Sequence, residues 1–204
     1  MTAKKRTAVL ISGRGSNLSS LIAASKQPDF PAEIALVLSN IATAGGLERA
    51  AEAGVATKVI SHKDYASREE FDAAIDAVLQ AADIDLICEA GFMRIHSDSF
   101  VSKWQGRILN IHPSLLPAFK GIRVHEQVIA AGVRESGCTV HFLVTELDSG
   151  PIVAQASVPV HPNDNPETLA ARVLESELKL YPEALKLVAS GKVRLENGLA
   201  VFSD

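Results

Sequence analysis

An amide and an imidazole two residues apart mark the stretch of this 204-residue chain best suited to chemistry. Asn110 and His112 lie in the apolar, partly β-branched run ILNIH, which predicts a short buried strand over 108–112. Because side chains alternate along a strand, both would point the same way. Pro113 cannot continue a sheet ladder, so the pair would end the strand, where open α/β sheets bind ligands. The alternative is that both are ordinary hydrogen-bonded structural residues.

A carboxylate far along the chain completes an acid–base set. Asp148 follows a predicted strand over 138–145, in a turn rich in turn-forming residues. If the sheet brings Asp148 beside His112, it would stabilise the charged imidazole, which could then shuttle a proton or hold positive charge near an oxyanion. Asn110 would donate a hydrogen bond to the same oxyanion. No nucleophilic Ser or Cys belongs to the set, so we expect one bound substrate to attack another directly.

A metal site is the competing interpretation of the histidines. None of the available residues falls in the HxxxH, HExxH or CxxC spacings typical of metal sites; they are His96, His112, His125 and His141. We therefore expect no metal in the chemistry.

A glycine-rich loop, SGRGSN over 12–17, separates a predicted strand over 7–11 from a helix. Glycines let the backbone approach a ligand closely, and the first turn of a helix offers free N–H groups at its positive end. Such a loop suits a phosphate monoester. It matches neither GxGxxG nor GxxxxGK[ST], so neither a dinucleotide nor a nucleoside triphosphate site is expected. The alternative is a tight turn in which Ser16 or Asn17 caps the helix.

The remaining pattern alternates strands and helices and then places strands side by side. It predicts an α/β fold with a mostly parallel, doubly wound (Rossmann-like) sheet, an antiparallel edge, and a C-terminal helix plus hairpin. The further predicted strands are 33–38, 56–60, 84–90, 152–160, 193–195 and 199–202. The further predicted helices are 45–53, 98–104 and 123–131. Two more helices are predicted, one that begins with a Ser67/Glu70 capping box and one that begins at Asn165 and is kinked at Pro182.

The composition is that of an ordinary globular protein, 47% hydrophobic and 22% charged. A formal net charge of −4 argues against broad nucleic-acid or membrane-surface binding. Cys88 and Cys138 form no CxxC pair, which indicates reduced thiols. The apolar run over 8–11 is too short for a signal peptide, and no window approaches a membrane span. We expect a cytoplasmic protein.

Four motifs together resemble a known family. The runs LISGRGSN, AGFMRI, NIHPSLLP and TELDSGP occur in the order and spacing of phosphoribosylglycinamide formyltransferases, from Val9 to the region of Tyr181. The resemblance implies the formyltransferase fold in a single domain over 1–204, with a phosphate-binding half (about 1–105) and a folate-binding, catalytic half (about 106–204). It also implies transfer of a formyl group from 10-formyltetrahydrofolate to the glycine amine of glycinamide ribonucleotide, through a tetrahedral intermediate, in purine biosynthesis.

The same resemblance implies roles for individual residues. Asn110, His112 and Asp148 would be the catalytic trio, with His112 as proton donor and His141 nearby. The ribonucleotide would be held by Gly15, Ser16, Asn17, Leu174, Glu175, Ser176 and Glu177. The folate would be held by Arg68, Met93, Arg94, Ile95, His96, Asn110, Val144, Thr145, Glu146 and Leu147. From the residues alone, Arg68 reads as a solvated side chain. Phe92 and Met93 either line a flat apolar slot or, as is more common, belong to the core.

Departures and relatives leave some points open. The family resemblance leads us to expect an apolar residue at position 96, so His96 would alter the wall of the pterin pocket, and no role is assigned to His125. Methionyl-tRNA formyltransferases resemble the chain but carry a further tRNA-binding domain, so its length and acidic charge disfavour that interpretation. Formyltetrahydrofolate deformylases share the Asn-His-Asp set but carry an extra N-terminal regulatory domain, and a deformylase is kept as an alternative. A non-catalytic ribonucleotide-binding module is the alternative from another class. We expect two small-molecule substrates, no nucleic-acid or membrane partner, and a monomer or homodimer.

Overall fold

The computed structural model describes residues 3–203. Its strands are β1 (Lys5–Ile11), β2 (Ala32–Ser39), β3 (Ala56–Val59), β4 (Leu86–Glu89), β5 (Ile108–His112), β6 (Glu135–Phe142), β7 (Ile152–Pro159), β8 (Val193–Glu196) and β9 (Leu199–Phe202). Its helices are α1 (Ser16–Ser25), α2 (Gly45–Glu52), α3 (Arg68–Ala81), α4 (Asp98–Lys103), α5 (Val124–Ala131) and α6 (Pro166–Ala189).

Seven strands form one sheet in the order β3-β2-β1-β4-β5-β6-β7, and β8 pairs with β9 in a separate hairpin. Strands β1 to β5 pair in parallel, whereas β6 and β7 are antiparallel, so the predicted fold class is confirmed. The chain winds outwards from β1 to β3 and returns to β4 on the other side of β1. Such a reversal opens a crevice at the carboxyl ends of the two central strands, where ligands bind in sheets of this kind.

Alternation along the strands divides the core into two layers. Val9, Ile11 and Leu109 pack with α1 and α6 on one face, while Leu10 and Ile108 face α3 and α4 on the other. The Tyr181 hydroxyl of α6 lies 2.8 Å and 3.0 Å from the carbonyls of β4 and β5, at Glu89 and Leu109. Because Asn110 and His112 share the face of Ile108, both side chains emerge on the α3–α4 side.

Local capping follows the predicted chemistry at two helices. The Ser67 hydroxyl accepts from the backbone N–H of Glu70 at the start of α3, but Glu70 Oε2 accepts from the Ala66 N–H, so only half of the predicted capping box forms there. Asn165 forms a full capping box with Thr168 at the start of α6. Helix α6 continues through Pro182 for 24 residues, and the kink expected there stays a prediction. Within residues 3–203, no helix has the length and apolar character needed to cross a membrane.

Strand β6 differs from its predicted limits of 138–145. It begins at Glu135 because residues from Glu135 onwards pair with β7, and it ends at Phe142 because the chain then leaves for the turn. Gly137 is required within it, since a Cβ there would lie 2.0 Å from the carbonyl oxygen of Ala156. Pairing with the neighbouring strand, and not local apolarity, sets both ends.

Candidate active site

A row of polar side chains crosses the sheet on the α3–α4 face. Glu89 of β4 is in register with Asn110 of β5, and Asn110 with His141 of β6. The Asn110 amide nitrogen lies 3.3 Å from His141 Nε2, and His141 Nδ1 donates to the Phe142 carbonyl at 2.9 Å. Burial lowers the pKa of His141, so Nε2 is the acceptor. His141 therefore fixes the Asn110 amide and leaves its second N–H for a ligand.

His112 and Asp148 meet at the end of this row. Their side chains are both buried, and His112 Nδ1 lies 3.5 Å from Asp148 Oδ1. His112 Nε2 lies 2.9 Å from the Phe119 carbonyl oxygen, and Asp148 Oδ2 accepts from the Gly121 backbone N–H at 2.8 Å. An imidazolium at position 112 would thus find an acceptor at each nitrogen.

Two backbone segments hold this pair in place. In the loop after β5, Thr139 Oγ1 donates to the Ser114 carbonyl at 2.7 Å and accepts from the Leu116 N–H at 3.1 Å. In the turn after β6, Asp148 has a left-handed φ of 49°. A Cβ at Gly150 would lie 1.7 Å from the Phe142 carbonyl oxygen, so only glycine lets the turn close over β6.

Several groups of this site could not be assigned from residue types. The Phe119 carbonyl and the Gly121 N–H are backbone groups, which carry no side-chain signature. His125, on the first turn of α5, was given no role; burial and the nearby His112 lower its pKa. The SGP run after Asp148 was the available signal for the close turn at Gly150.

The glycine loop forms the start of α1. Gly15, with φ 76°, occupies the N-cap position and supplies no side-chain cap, so a cap by Ser16 or Asn17 is wrong. A Cβ at Gly15 would lie 2.6 Å from Gly46 Cα, which shows how closely α2 approaches the loop. The first-turn N–H groups of α1 consequently have no side-chain cap and can face an anion.

One side chain of α6 reaches this loop. Asn17 Nδ2 donates to Glu177 Oε2 at 2.7 Å. Glu177 is buried, and burial raises its pKa. On the same stretch of α6, Leu174 and Ser176 are half-buried and Glu175 is exposed, and their role at the loop stays a prediction.

The residues predicted for folate divide between exposed and buried positions. Met93, with 68% of its surface exposed, lies with Arg94 and Ile95 in an exposed tip after β4. Val144 is half-buried. Besides the tip, the exposed members of the predicted folate set are Arg68, Thr145, Glu146 and Leu147. Phe92 is core as expected for that residue, whereas Met93 is not.

His96 lies in the protein interior, and its expected place at the wall of the pterin pocket stays a prediction. Its side chain is only 5% exposed and points inwards, towards Asp72 and Glu89 and between two phenylalanine rings. The physical reason is charge, since two buried carboxylates draw the imidazole away from the surface. Within residues 3–203 no group of three or more His, Cys, Asp or Glu side chains could hold a metal ion.

Comparison with known proteins now places the chain. Residues 5–185 match the formyl transferase family. Phosphoribosylglycinamide formyltransferase from Haemophilus influenzae is 45% identical over 96% of this chain and 92% of its own length. The chain belongs to the phosphoribosylglycinamide formyltransferase family. The Escherichia coli member is 42% identical over 94% of this chain and 91% of that protein.

Solved structures of the family agree with the fold. Glycinamide ribonucleotide transformylase 1 from Symbiobacterium toebii matches with a TM-score of 0.96 and 43% identity, covering all of this chain and 96% of that one. A formyltetrahydrofolate deformylase from Pseudomonas syringae shares the fold at 24% identity, with a TM-score of 0.89. The chain also spans about one fifth (19%) of the trifunctional purine biosynthetic protein adenosine-3 of Gallus gallus, at 56% identity over 95% of this chain.

Proposed function

We propose that the protein transfers the formyl group of 10-formyltetrahydrofolate to the glycine amine of glycinamide ribonucleotide in de novo purine biosynthesis. The products are formylglycinamide ribonucleotide and tetrahydrofolate. The observation that carries the proposal is the convergence of an amide N–H, an imidazole and a carboxylate at one end of the sheet, at Asn110, His112 and Asp148. The names of the family relatives support formyl transfer to glycinamide ribonucleotide, whereas the folate donor rests on the motif resemblance.

The trio can assist a direct transfer. The amine nitrogen attacks the formyl carbon, a C–N bond forms, and the carbonyl electron pair moves onto the oxygen. The free N–H of Asn110 and protonated His112 stabilise that oxyanion. The carbon–N10 bond of the folate then breaks, N10 takes up a proton, and the former amine loses one, so the protons balance. Asp148 keeps the imidazolium oriented, and the Phe119 carbonyl is the partner that His112 gives up to the substrate.

The ribonucleotide site is proposed at the start of α1. A phosphate dianion would accept from the uncapped N–H groups after Gly15 and from Ser16. Buried Glu177, held by Asn17, would accept hydrogen bonds from the glycinamide end. Leu174, Glu175 and Ser176 complete the proposed contacts on the same stretch of α6.

The folate site is proposed between the tip after β4 and the turn after β6. Met93, Ile95 and Leu147 are exposed apolar side chains suited to a flat ring system. Arg68 and Arg94 are exposed cations suited to the carboxylates of a folate tail. His96, Asn110, Val144, Thr145 and Glu146 complete the set, with His96 acting from within the protein.

The wider organisation is part of the proposal. We assign one formyltransferase domain to residues 1–204, with the phosphate site in the half over about 1–105 and the catalytic centre in the half over about 106–204. The buried free thiols of Cys88 and Cys138 support a reducing, cytoplasmic compartment. The net charge of −4 supports small-molecule partners rather than nucleic acid, with the chain acting as a monomer or homodimer.

A substrate-swap assay tests the function. Purified protein is mixed with a 10-formylfolate, and the folate absorbance change is followed with and without glycinamide ribonucleotide. Turnover only with the ribonucleotide supports the transferase. Turnover without it would replace the proposal with a deformylase, and no turnover in either mixture would replace it with a non-catalytic ribonucleotide-binding module.

A further inference from the structure

A second histidine–carboxylate cluster lies beside the proposed site. His96 Nδ1 lies 2.7 Å from Asp72 Oδ1 of α3, and His96 Nε2 lies 2.8 Å from Glu89 Oε1 of β4. The contact with Asp72 is a hydrogen bond. The contact with Glu89 is an ion pair whose geometry does not meet the criteria for a hydrogen bond. All three side chains are buried, so charges on them must compensate one another.

Aromatic rings enclose the imidazole from both sides. Phe92 stacks on one face with ring centroids 5.3 Å apart, and Phe100 of α4 stacks on the other at 4.3 Å. The stack continues to Phe71 beyond Phe92 and to Trp104 beyond Phe100. Two aromatic faces favour a cation between them. Although burial opposes the charge, Asp72 and Glu89 raise the pKa of His96 to about 9.

The cluster fixes one end of the exposed tip Met93–Ile95. At the near end, the Met93 N–H donates to Ser12 Oγ at 2.8 Å, and Phe92 is buried. At the far end, His96 is buried, and the Ser97 N–H donates to Asp72 Oδ2 at 2.5 Å. The tip is therefore a short bridge whose two ends are Phe92 and His96.

We propose that Asp72, His96 and Glu89 are positioning residues that hold the tip Met93–Ile95 in the conformation that binds the folate co-substrate. The inference rests on the proposed function, because it assigns the tip to the folate site. A protonated imidazole satisfies both carboxylates. A neutral one has a single N–H, so its other nitrogen would face a carboxylate oxygen and the far end of the bridge would loosen.

The same cluster touches the catalytic row through one residue. Glu89 is in register with Asn110, and its charge acts on His141. The titratable groups that face His96 are Asp72 from α3 and Glu89 from β4, while α4 contributes the Phe100 ring and the Ser97 N–H. Deprotonation of His96 leaves Glu89 in register with Asn110, so we expect it to affect folate binding first and the chemical step little.

The first test is folate binding to the wild-type protein at different pH values. The dissociation constant of 10-formyl-5,8-dideazafolate is measured by fluorescence titration from about pH 7 to about pH 10. We expect affinity to fall about tenfold through the titration of His96, because the tip would then be ordered at binding instead of beforehand. A flat profile would overturn the proposal.

The matched variant is Glu89→Leu/His96→Leu, which replaces one buried ion pair by an apolar pair and leaves Asp72 its bond to Ser97. We expect the dissociation constant of the dideazafolate for this double variant to lose its dependence on pH. Ionisation of the ligand itself would affect the wild type and the variant equally, so the comparison isolates His96. His96→Leu alone leaves two buried carboxylates and should raise KM for the folate about tenfold, with kcat and KM for the ribonucleotide within about threefold of wild type. Equal changes in all three constants would indicate a merely structural role and overturn the proposal.

Failure of the proposed function gives a different result. If the wild-type protein binds no dideazafolate at any pH, both the folate site and this inference fall. If the wild-type protein binds and turns over but the double variant keeps its pH profile, only the inference falls.

Discussion

Two histidine–carboxylate sites, centred on His96 and His112, are connected through the paired residues Glu89 and Asn110, and they are built differently. His96 has carboxylates 2.7 Å and 2.8 Å away, contributed by a helix and a strand, and it is stacked between rings. His112 has one carboxylate 3.5 Å away, contributed by a turn, and its other nitrogen meets a loop carbonyl. Tight contacts on rigid elements keep a charge fixed, whereas a looser pair held by loops can exchange its partners with a substrate.

The largest expected effect separates the two sites by chemistry. We expect His112→Ala and Asp148→Ala each to lower kcat by about 10²–10⁴, the usual loss when acid–base or oxyanion assistance is removed. KM for both substrates should change little, since the trio acts mainly in the transition state. Steady-state kinetics with the folate absorbance readout measures this, and wild-type rates in both variants would remove the catalytic assignment.

The next effect concerns the free energy of unfolding, to which the His96 site is expected to contribute in a pH-dependent way. The pKa of His96 in the folded protein, about 9, lies above its ordinary value of 6.5. The stabilising contribution is therefore complete below about pH 6.5 and is lost as the pH rises to about 9, at about 3 kcal/mol in total. Urea unfolding at several pH values should show this loss in wild type.

The Glu89→Leu/His96→Leu double variant is the control for that measurement. Its unfolding free energy should lack the decline that His96 causes between about pH 6.5 and pH 9. An identical decline in the variant would show that other groups produce it and that His96 is not held as a cation.

A smaller effect is expected at the phosphate loop. Asn17→Ala removes the 2.7 Å hydrogen bond to buried Glu177. We expect KM for the ribonucleotide to rise about tenfold while KM for the folate is unchanged, because a buried carboxylate loses its donor. The inhibition constant of inorganic phosphate should rise by less than KM for the ribonucleotide, since the N–H groups at the start of α1 remain in the variant. A change in the folate KM alone would contradict the assignment.

The smallest effect concerns the exposed contacts of Lys120, which connect the loop after β5 with the turn after β6. Lys120 donates to Ser149 and lies 3.8 Å from Glu146, both in the turn that carries Asp148. Exposed ion pairs contribute less than about 1 kcal/mol, so Lys120→Met should change kcat by less than about fivefold. A loss as large as that of His112→Ala would mean that the loop, and not the imidazole, limits the reaction.

The strand that carries the site was predictable from local pattern. The limits of β5 and the shared face of Asn110 and His112 follow from apolar alternation and Pro113, and the caps at Ser67 and Asn165 follow from short-range chemistry. The contact between His112 and Asp148 depends on which strands pair, so the residues alone could state it only as a condition. The motif resemblance added the family's catalytic roles to that trio but not its geometry.

Other parts needed the folded chain. The limits of β6 depend on its pairing with β7, and the N-cap at Gly15 depends on the close approach of α2. His96 was expected at a pocket wall because it follows the MRI run of the family motif. Its inward orientation depends on Asp72, which α3 brings to it, and no local pattern encodes that partner.

The most direct test of the account is the single-turnover rate of formyl transfer with both substrates saturating, measured side by side for His112→Asn and for His96→Leu. The account predicts a fall of at least about 10² in the first and a change within about threefold in the second. Equal losses in both variants, or a wild-type rate with His112→Asn, would contradict the division between a chemical and a positioning histidine.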